Sequence, residues 1–184
     1  MKKSITSNFA KLLACLFLVV GVLTGCSSAN VGAQNNNKQS VTNTVNSIAD
    51  LQNTENFRHG ALKHILEGEI NKRGKAVGFH YEGFPGSKGK VIEGTSSKPN
   101  KYGVYTAEVE VDGVKKTSNK GRSTLYPKDW TPQQVVDAIN EAYNDRQYVK
   151  GSKDTYMGET KEGMQISMYL DQKTGKIISA FPMY

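Results

Sequence analysis

Cysteine is nearly absent from this chain of 184 residues: Cys15 and Cys26 are the only two, too few for a disulfide scaffold of the knottin kind. Nor is there a run of 18 or more apolar residues, which excludes a transmembrane helix and with it a membrane transporter. Apolar residues make up a modest 37% of the chain, yet they are patterned too regularly for a wholly disordered one. The length allows one domain and a remainder, and so excludes a multidomain enzyme. Lys and Arg outnumber acids by 24 to 17, and the formal charge of +7 suits an anionic partner. That surplus is not spread evenly.

Residues 1–11 carry Lys2, Lys3 and Lys11 and no acid, and an apolar stretch of 11 residues, Leu12 to Val22, follows. Such a stretch is too short to span a bilayer, and a charged start ahead of it is the layout of a secretory signal. Leu23-Thr24-Gly25-Cys26 resembles a bacterial lipobox. The resemblance implies cleavage before Cys26, a diacylglyceryl group on its thiol, and attachment to a membrane on the extracytoplasmic side of a bacterial cell envelope. Removing 1–25 would take Cys15 with it and lower the charge to +4. Residues 26–56 are dominated by Asn, Ser, Thr and Gln, with no aromatic side chain before Phe57, and read as a disordered tether. Ile48 to Leu51 reads as a short helical turn against the domain.

Residues 57–184 hold the folding signals. Leu62, Ile65, Leu66 and Ile70 have helical spacing, ending near Gly68, Asn71 and Gly74, and a glycine-punctuated loop runs from Gly74 to Gly89. Tyr105, Ala107, Val109 and Val111 alternate along a strand, with Asp112-Gly113 as a hairpin turn into Val114. Ser123 to Tyr126 reads as another strand or turn. Thr131-Pro132-Gln133-Gln134 has the form of a capping box with proline at the first helical position, opening a helix that buries Val135, Val136, Ile139, Ala142 and Tyr143. Met164, Ile166, Met168 and Leu170 alternate before a turn at 171–175 and a return strand at 177–181. Helices flank hairpins rather than βαβ crossovers, so the class is α+β with antiparallel sheets.

All three histidines, His59, His64 and His80, fall within 22 residues. A metal site is disfavoured: positions five apart lie about 140° round a helix, and the sequence holds no HExxH, CxxC or paired-Asp motif. His64 and His80 instead suit an acid and base pair, because imidazole exchanges protons near neutral pH. On their own, two histidines in a small domain are more often packing or surface residues.

His64-Ile65-Leu66-Glu67-Gly68-Glu69-Ile70, Gly78-Phe79-His80, Gly103-Val104-Tyr105, Lys120 through Trp130 and Ile177 through Pro182 together resemble, in order and spacing, the bacterial EndoU nuclease domain. The resemblance covers about residues 60–184. It implies an endoribonuclease that cleaves single-stranded RNA through its own 2′-hydroxyl to a 2′,3′-cyclic phosphate, and an exported toxin or effector with an immunity protein as partner. His64 and His80 would form the acid/base pair, either one taking the 2′-hydroxyl proton and the other protonating the 5′-oxygen, and Lys120 would be the cation that steadies the phosphorane, with Thr124 four residues on. Thr124, Ser179 and Phe181 would contact the base 5′ to the cut. No cofactor is required by this chemistry, while Mn2+ stimulation is compatible with it. Phe181 departs from the family, standing where a tyrosine is usual, so the hydroxyl would have to come from Tyr184 or Tyr126.

Lys88, Lys90, Lys115 and Lys116 are sequence neighbours that compete with Lys120 for the cation's role. Between Lys88 and Lys128 there are nine basic residues against four acids. Interleaved with Tyr102, Tyr105 and Tyr126, this stretch reads as a groove for phosphates and stacked bases. The competing reading is a surface lipoprotein that keeps the scaffold without turnover and binds RNA or protein.

Overall fold

A computed structural model describes residues 44–184. The expected export signal 1–25, Cys26 and the first part of the tether lie outside the described residues. Within them, a 3-10 turn at Ile48–Asp50 precedes α1 (Ala61–Leu66), then β1 (Glu69–Ile70), β2 (Ala76–Val77), β3 (Gly89–Val91), β4 (Tyr105–Val111), β5 (Val114–Lys115) and β6 (Arg122–Leu125). The second half holds α2 (Pro132–Asn144), β7 (Gln147–Tyr148), β8 (Thr155–Glu159), β9 (Gln165–Leu170) and β10 (Ile177–Pro182). β1 and β2 form a small hairpin, β3 to β6 a sheet built on β4, and β7 to β10 a sheet in the order β10-β9-β8-β7. These strands pair antiparallel, so the fold is α+β with short flanking helices.

Each sheet has its own apolar cluster. Along β4 burial alternates as the sequence predicts, and Tyr105, Ala107, Val109 and Val111 meet Phe79 and Leu125. Val135, Val136, Ile139 and Ala142 of α2 join Ile166, Met168 and Leu170 of β9 in the larger cluster. The capping box opens α2 as expected: Gln134 N donates to Thr131 Oγ1 at 3.3 Å, and Thr131 N donates to Gln134 Oε1 at 2.7 Å.

The chain departs from the sequence reading in three places. The first helix stops at Leu66 instead of reaching Ile70: Glu67 and Gly68 both donate N–H to the Lys63 carbonyl, and Gly68 turns left-handed with φ of 72°. Glu69 and Ile70 then pair with Val77 and Ala76, and the expected loop contains a strand. Second, β3, β7 and β8 form where the sequence reading placed no element, and β8 is only partly buried along most of its length. Third, residues 44–56 pack on the domain. Leu51 is buried, with Val45 and Ile48 against the same cluster. The amides that looked like linker composition pair with polar side chains of α2. Gln52 N donates to Gln133 Oε1 at 2.8 Å, Asn140 Nδ2 to Asn53 O at 2.8 Å, and Asn56 Nδ2 to Asn140 Oδ1 at 2.9 Å. Arg58 N and Ile177 N close the strap on β10, donating to the carbonyls of Ile177 and Asn56 at 2.8 Å each.

A five-residue break in one edge of β4 matters most for the site. Lys115 lies opposite Glu110, but Arg122 lies opposite Glu108, so residues 117–121 are extruded between β5 and β6. Asn119 and Lys120 sit there with left-handed φ of 50° and 55°. Asn tolerates that region better than most residues, Lys does not, and sites of this kind cluster where function needs them.

Candidate active site

α1 is only six residues long, and its exposed carbonyl end is closed by the segment that carries the second histidine. Phe79 N donates to His64 O at 2.9 Å, and His80 N donates to Ile65 O at 2.7 Å. These are orphan carbonyls of a helix terminus. Satisfying them fixes one histidine's backbone on the other's. The approach requires Gly78, whose φ is 72° and where a Cβ would stand 2.1 Å from the His64 carbonyl oxygen. Gly78→Ala is therefore expected to lower Tm by ten degrees or more, as a change costing about 2–4 kcal/mol would. A thermal melt that moved by less than two degrees would contradict this packing.

On the far side, Tyr126 N donates to His80 O at 2.8 Å, tying the same segment to the end of β6. His80 Nδ1 lies 2.8 Å from the Thr124 carbonyl oxygen. A carbonyl can only accept, so Nδ1 carries the proton and Nε2 keeps its lone pair. The ring is 7% exposed and stacks on Phe181, with centroids 5.2 Å apart and planes 22° from parallel. Burial first, then the nearby Lys116 charge, pushes its pKa down to about 3. His80 is neutral at any ordinary pH.

His64 is more open. Its Nδ1 is 2.9 Å from Glu69 Oε1, an acceptor-only carboxylate, so this nitrogen also carries a proton. The pair forms because the helix ends early: on the continuous helix that the sequence suggests, positions 64 and 69 would diverge. Glu69 on β1 instead folds back to its histidine.

Both histidines line a cavity of about 350 Å³ with Gly78, Lys116, Ser118, Asn119, Thr124, Tyr169, Ile178, Ser179 and Phe181 among its walls. The cation in it is Lys116. Lys120, to which the sequence reading gave that role, is exposed on the extruded turn and is not part of the cavity wall. Lys116 is 8% exposed, and its ammonium donates to Ser123 Oγ at 2.8 Å and to Gly78 O at 3.2 Å. Two of its three N–H donors are thus held by protein, which leaves one for an oxygen in the cavity. Desolvation lowers its pKa to about 8. The sequence carried a signal for Lys116: a tight Asp112-Gly113 hairpin sets it opposite Val109, on the inward face, and Lys116 N donates to Val109 O.

The other expected contacts divide. Thr124, Ser179 and Phe181 all reach the cavity. Ser179 does so with Ile178 because β10 changes register between Ile177 and Ser179, a bulge that turns two successive residues towards one side. Tyr105 and Tyr126 are 0% exposed and cannot stack on a base; the Tyr105 hydroxyl donates to Glu82 Oε2 at 2.5 Å. Tyr184 donates its hydroxyl to the Lys98 carbonyl at 2.9 Å, outside the cavity wall. Tyr169 brings the phenol there, tilted against Phe181 with centroids 6.0 Å apart. Among the described residues no three His, Cys, Asp or Glu side chains converge as metal ligands.

A family model described as bacterial EndoU nuclease matches residues 58–184. A protein of Bacillus cereus named "Toxin" is 54% identical over 148 residues, covering 80% of this chain and 27% of that protein, so the chain spans about a quarter of its relative's length. That alignment is longer than the family match and so reaches into the strap before Arg58. No solved structure matches the chain.

Proposed function

The chain belongs to the bacterial EndoU nuclease family, and from that premise we propose that it is an endoribonuclease that cuts single-stranded RNA by transesterification. The observation that carries this reading is a neutral, buried imidazole with a fixed tautomer, in one cavity with a carboxylate-held imidazole and a buried ammonium. His80 Nε2 accepts the proton of a ribose 2′-hydroxyl, whose oxygen bonds to the adjacent phosphorus. The bond from phosphorus to the 5′-oxygen breaks, and the His64 imidazolium, oriented by Glu69, gives that oxygen a proton. The Lys116 ammonium holds a non-bridging oxygen as charge gathers on the phosphorane. The products are a 2′,3′-cyclic phosphate and a 5′-hydroxyl.

A base as weak as free His80 accepts a proton only when something nearby stabilises its cation, and the phosphodiester anion supplies that. Thr124 and Ser179, both in the cavity wall, would meet the base on the 5′ side. Phe181 gives one face to His80 and so acts first on the catalytic ring. The relative's name supports a toxin or effector role, with an immunity protein protecting the producer, and the Cys26 motif supports a lipid anchor on the extracytoplasmic side. The steps use protein groups alone, and activity in excess chelator is the expected result.

A second reading, a binding module without turnover, is favoured by one observation, that Phe181 brings no hydroxyl. An oligonucleotide carrying a single 2′-deoxy position separates the two readings. With the full-length chain, cleavage should stop at that position and continue elsewhere, and His64→Ala should abolish it. Cutting that persists at the deoxy position would eliminate the mechanism, and intact RNA throughout would leave the binding module.

A further inference from the structure

We propose that the turn of the β1–β2 hairpin, through Lys72, Arg73 and Lys75, is a phosphate-binding site for the RNA strand on the 3′ side of the cut. The inference rests on the nuclease reading and adds a direction to it. The hairpin grows out of the cavity wall: Glu69 at its base holds His64, and Val77 and Gly78 on the return strand line the cavity. Its turn begins two residues further out, about 7 Å along the strands. All three cations are exposed there, and none enters an ion pair among the described residues. The stretch from Lys88 to Lys128, which the sequence favoured as the RNA groove, is partly spent: Lys88 pairs with Asp112 at 3.2 Å and Lys128 with Glu82 at 3.2 Å.

The turn is also built rigidly. Asn71 Oδ1 accepts from Arg73 N at 2.9 Å and from Lys75 N at 3.1 Å, while Asn71 N donates to Lys75 O and Gly74 N to Asn71 O, both at 2.9 Å. Backbone fixed in this way presents the cations without a backbone ordering cost at the moment of binding, which leaves only the side-chain share. The direction follows from the histidines. His64 protonates the departing 5′-oxygen, which belongs to the nucleotide 3′ of the cut. The hairpin adjoins His64 through Glu69, so the strand that leaves past His64 runs along the hairpin.

The test compares oligonucleotides lengthened only on the 3′ side or only on the 5′ side of one cleavable position, with the full-length chain and its Lys72→Glu/Arg73→Glu/Lys75→Glu variant. In the unaltered chain, 3′ extension should raise kcat/KM. In the variant that gain should shrink about tenfold or more, as the loss of three exposed charge contacts allows, while the gain from 5′ extension persists. The salt dependence of binding, read by fluorescence anisotropy with a fully 2′-deoxy strand, should weaken by about 2 in log–log slope, the share of three phosphate contacts on a single strand. A 3′ gain and a salt slope that both survive the triple change would overturn the proposal, as would equal losses on the two sides. If the unaltered chain cuts no oligonucleotide, the nuclease reading fails while anisotropy still reports on the hairpin.

Discussion

His80→Asn is expected to lower RNA cleavage by about 10²- to 10⁴-fold, the range associated with loss of a general base, while the protein becomes more resistant to acid. Asparagine keeps the geometry, since its amide N–H can replace Nδ1 as donor to the Thr124 carbonyl, but it has no lone pair where Nε2 stood. The acid effect follows from linkage. Unfolded His80 takes a proton near pH 6.5 and folded His80 only near 3, so between these values the unfolded chain binds more protons. The depressed pKa contributes stability that is complete above pH 6.5 and is lost progressively as pH falls towards 3, on the order of 5 kcal/mol across the window. Urea unfolding at stepped pH should show a shallower slope of stability in the variant over that interval. Parallel slopes for the two proteins would mean that His80 is not buried neutral.

Lys116→Met should do something less usual: remove about 10²- to 10³-fold of activity, as for a lost oxyanion contact, and raise stability at pH 7. The ammonium is charged at neutral pH although it is nearly covered, and its pKa has fallen from 10.5 to about 8. With the folded value depressed, the unfolded chain binds more protons between pH 8 and 10.5, so stability rises with pH through that interval and is lowest below it. An apolar side chain of similar length escapes the penalty, on the order of 2–3 kcal/mol, because it leaves no buried charge. Residues held in this way trade stability for function. Lys120→Ala, by contrast, should cost only the few-fold expected of an exposed cation. If Lys120→Ala were the inactive variant and Lys116→Met the mild one, the extruded turn would have to rearrange when RNA binds.

Much of this site was legible in the sequence, and the parts that were not share a cause. His64, His80, Thr124, Ser179 and Phe181 are found where the ordered motifs suggested, because each lies in a stretch whose residues are few and distinctive. The cation in the cavity wall is Lys116 and not Lys120 for a reason of register. Sequence spacing counts residues along the chain, whereas the extruded 117–121 segment makes Lys116 and Ser123, seven apart, bond to one another while Lys120 is carried outwards. Glu69 was hidden for a related reason: apolar periodicity through Ile70 extended the helix past Gly68, and Ile70 is in fact 38% exposed. The tyrosines were misplaced because alternation tells which residues share a face but not whether that face is covered. Tyr105 shares the buried face of β4, and Tyr126 is enclosed beneath Trp130 with centroids 6.2 Å apart.

The strap of residues 44–56 bears on how such a domain can be exchanged between proteins. It joins α2, through the Gln52, Asn53 and Asn56 bonds, to the start of β10, through Asn56 and Ile177, and it buries Leu51 in the larger apolar cluster. A recombination breakpoint placed at Arg58, where the family match begins, would deliver the cavity without this strap and uncover the apolar residues that Leu51 packs against. A breakpoint upstream of Thr44 would carry the described strap along whole. Selection among fusions should therefore favour the upstream junction, so that the unit of inheritance is longer than the family match.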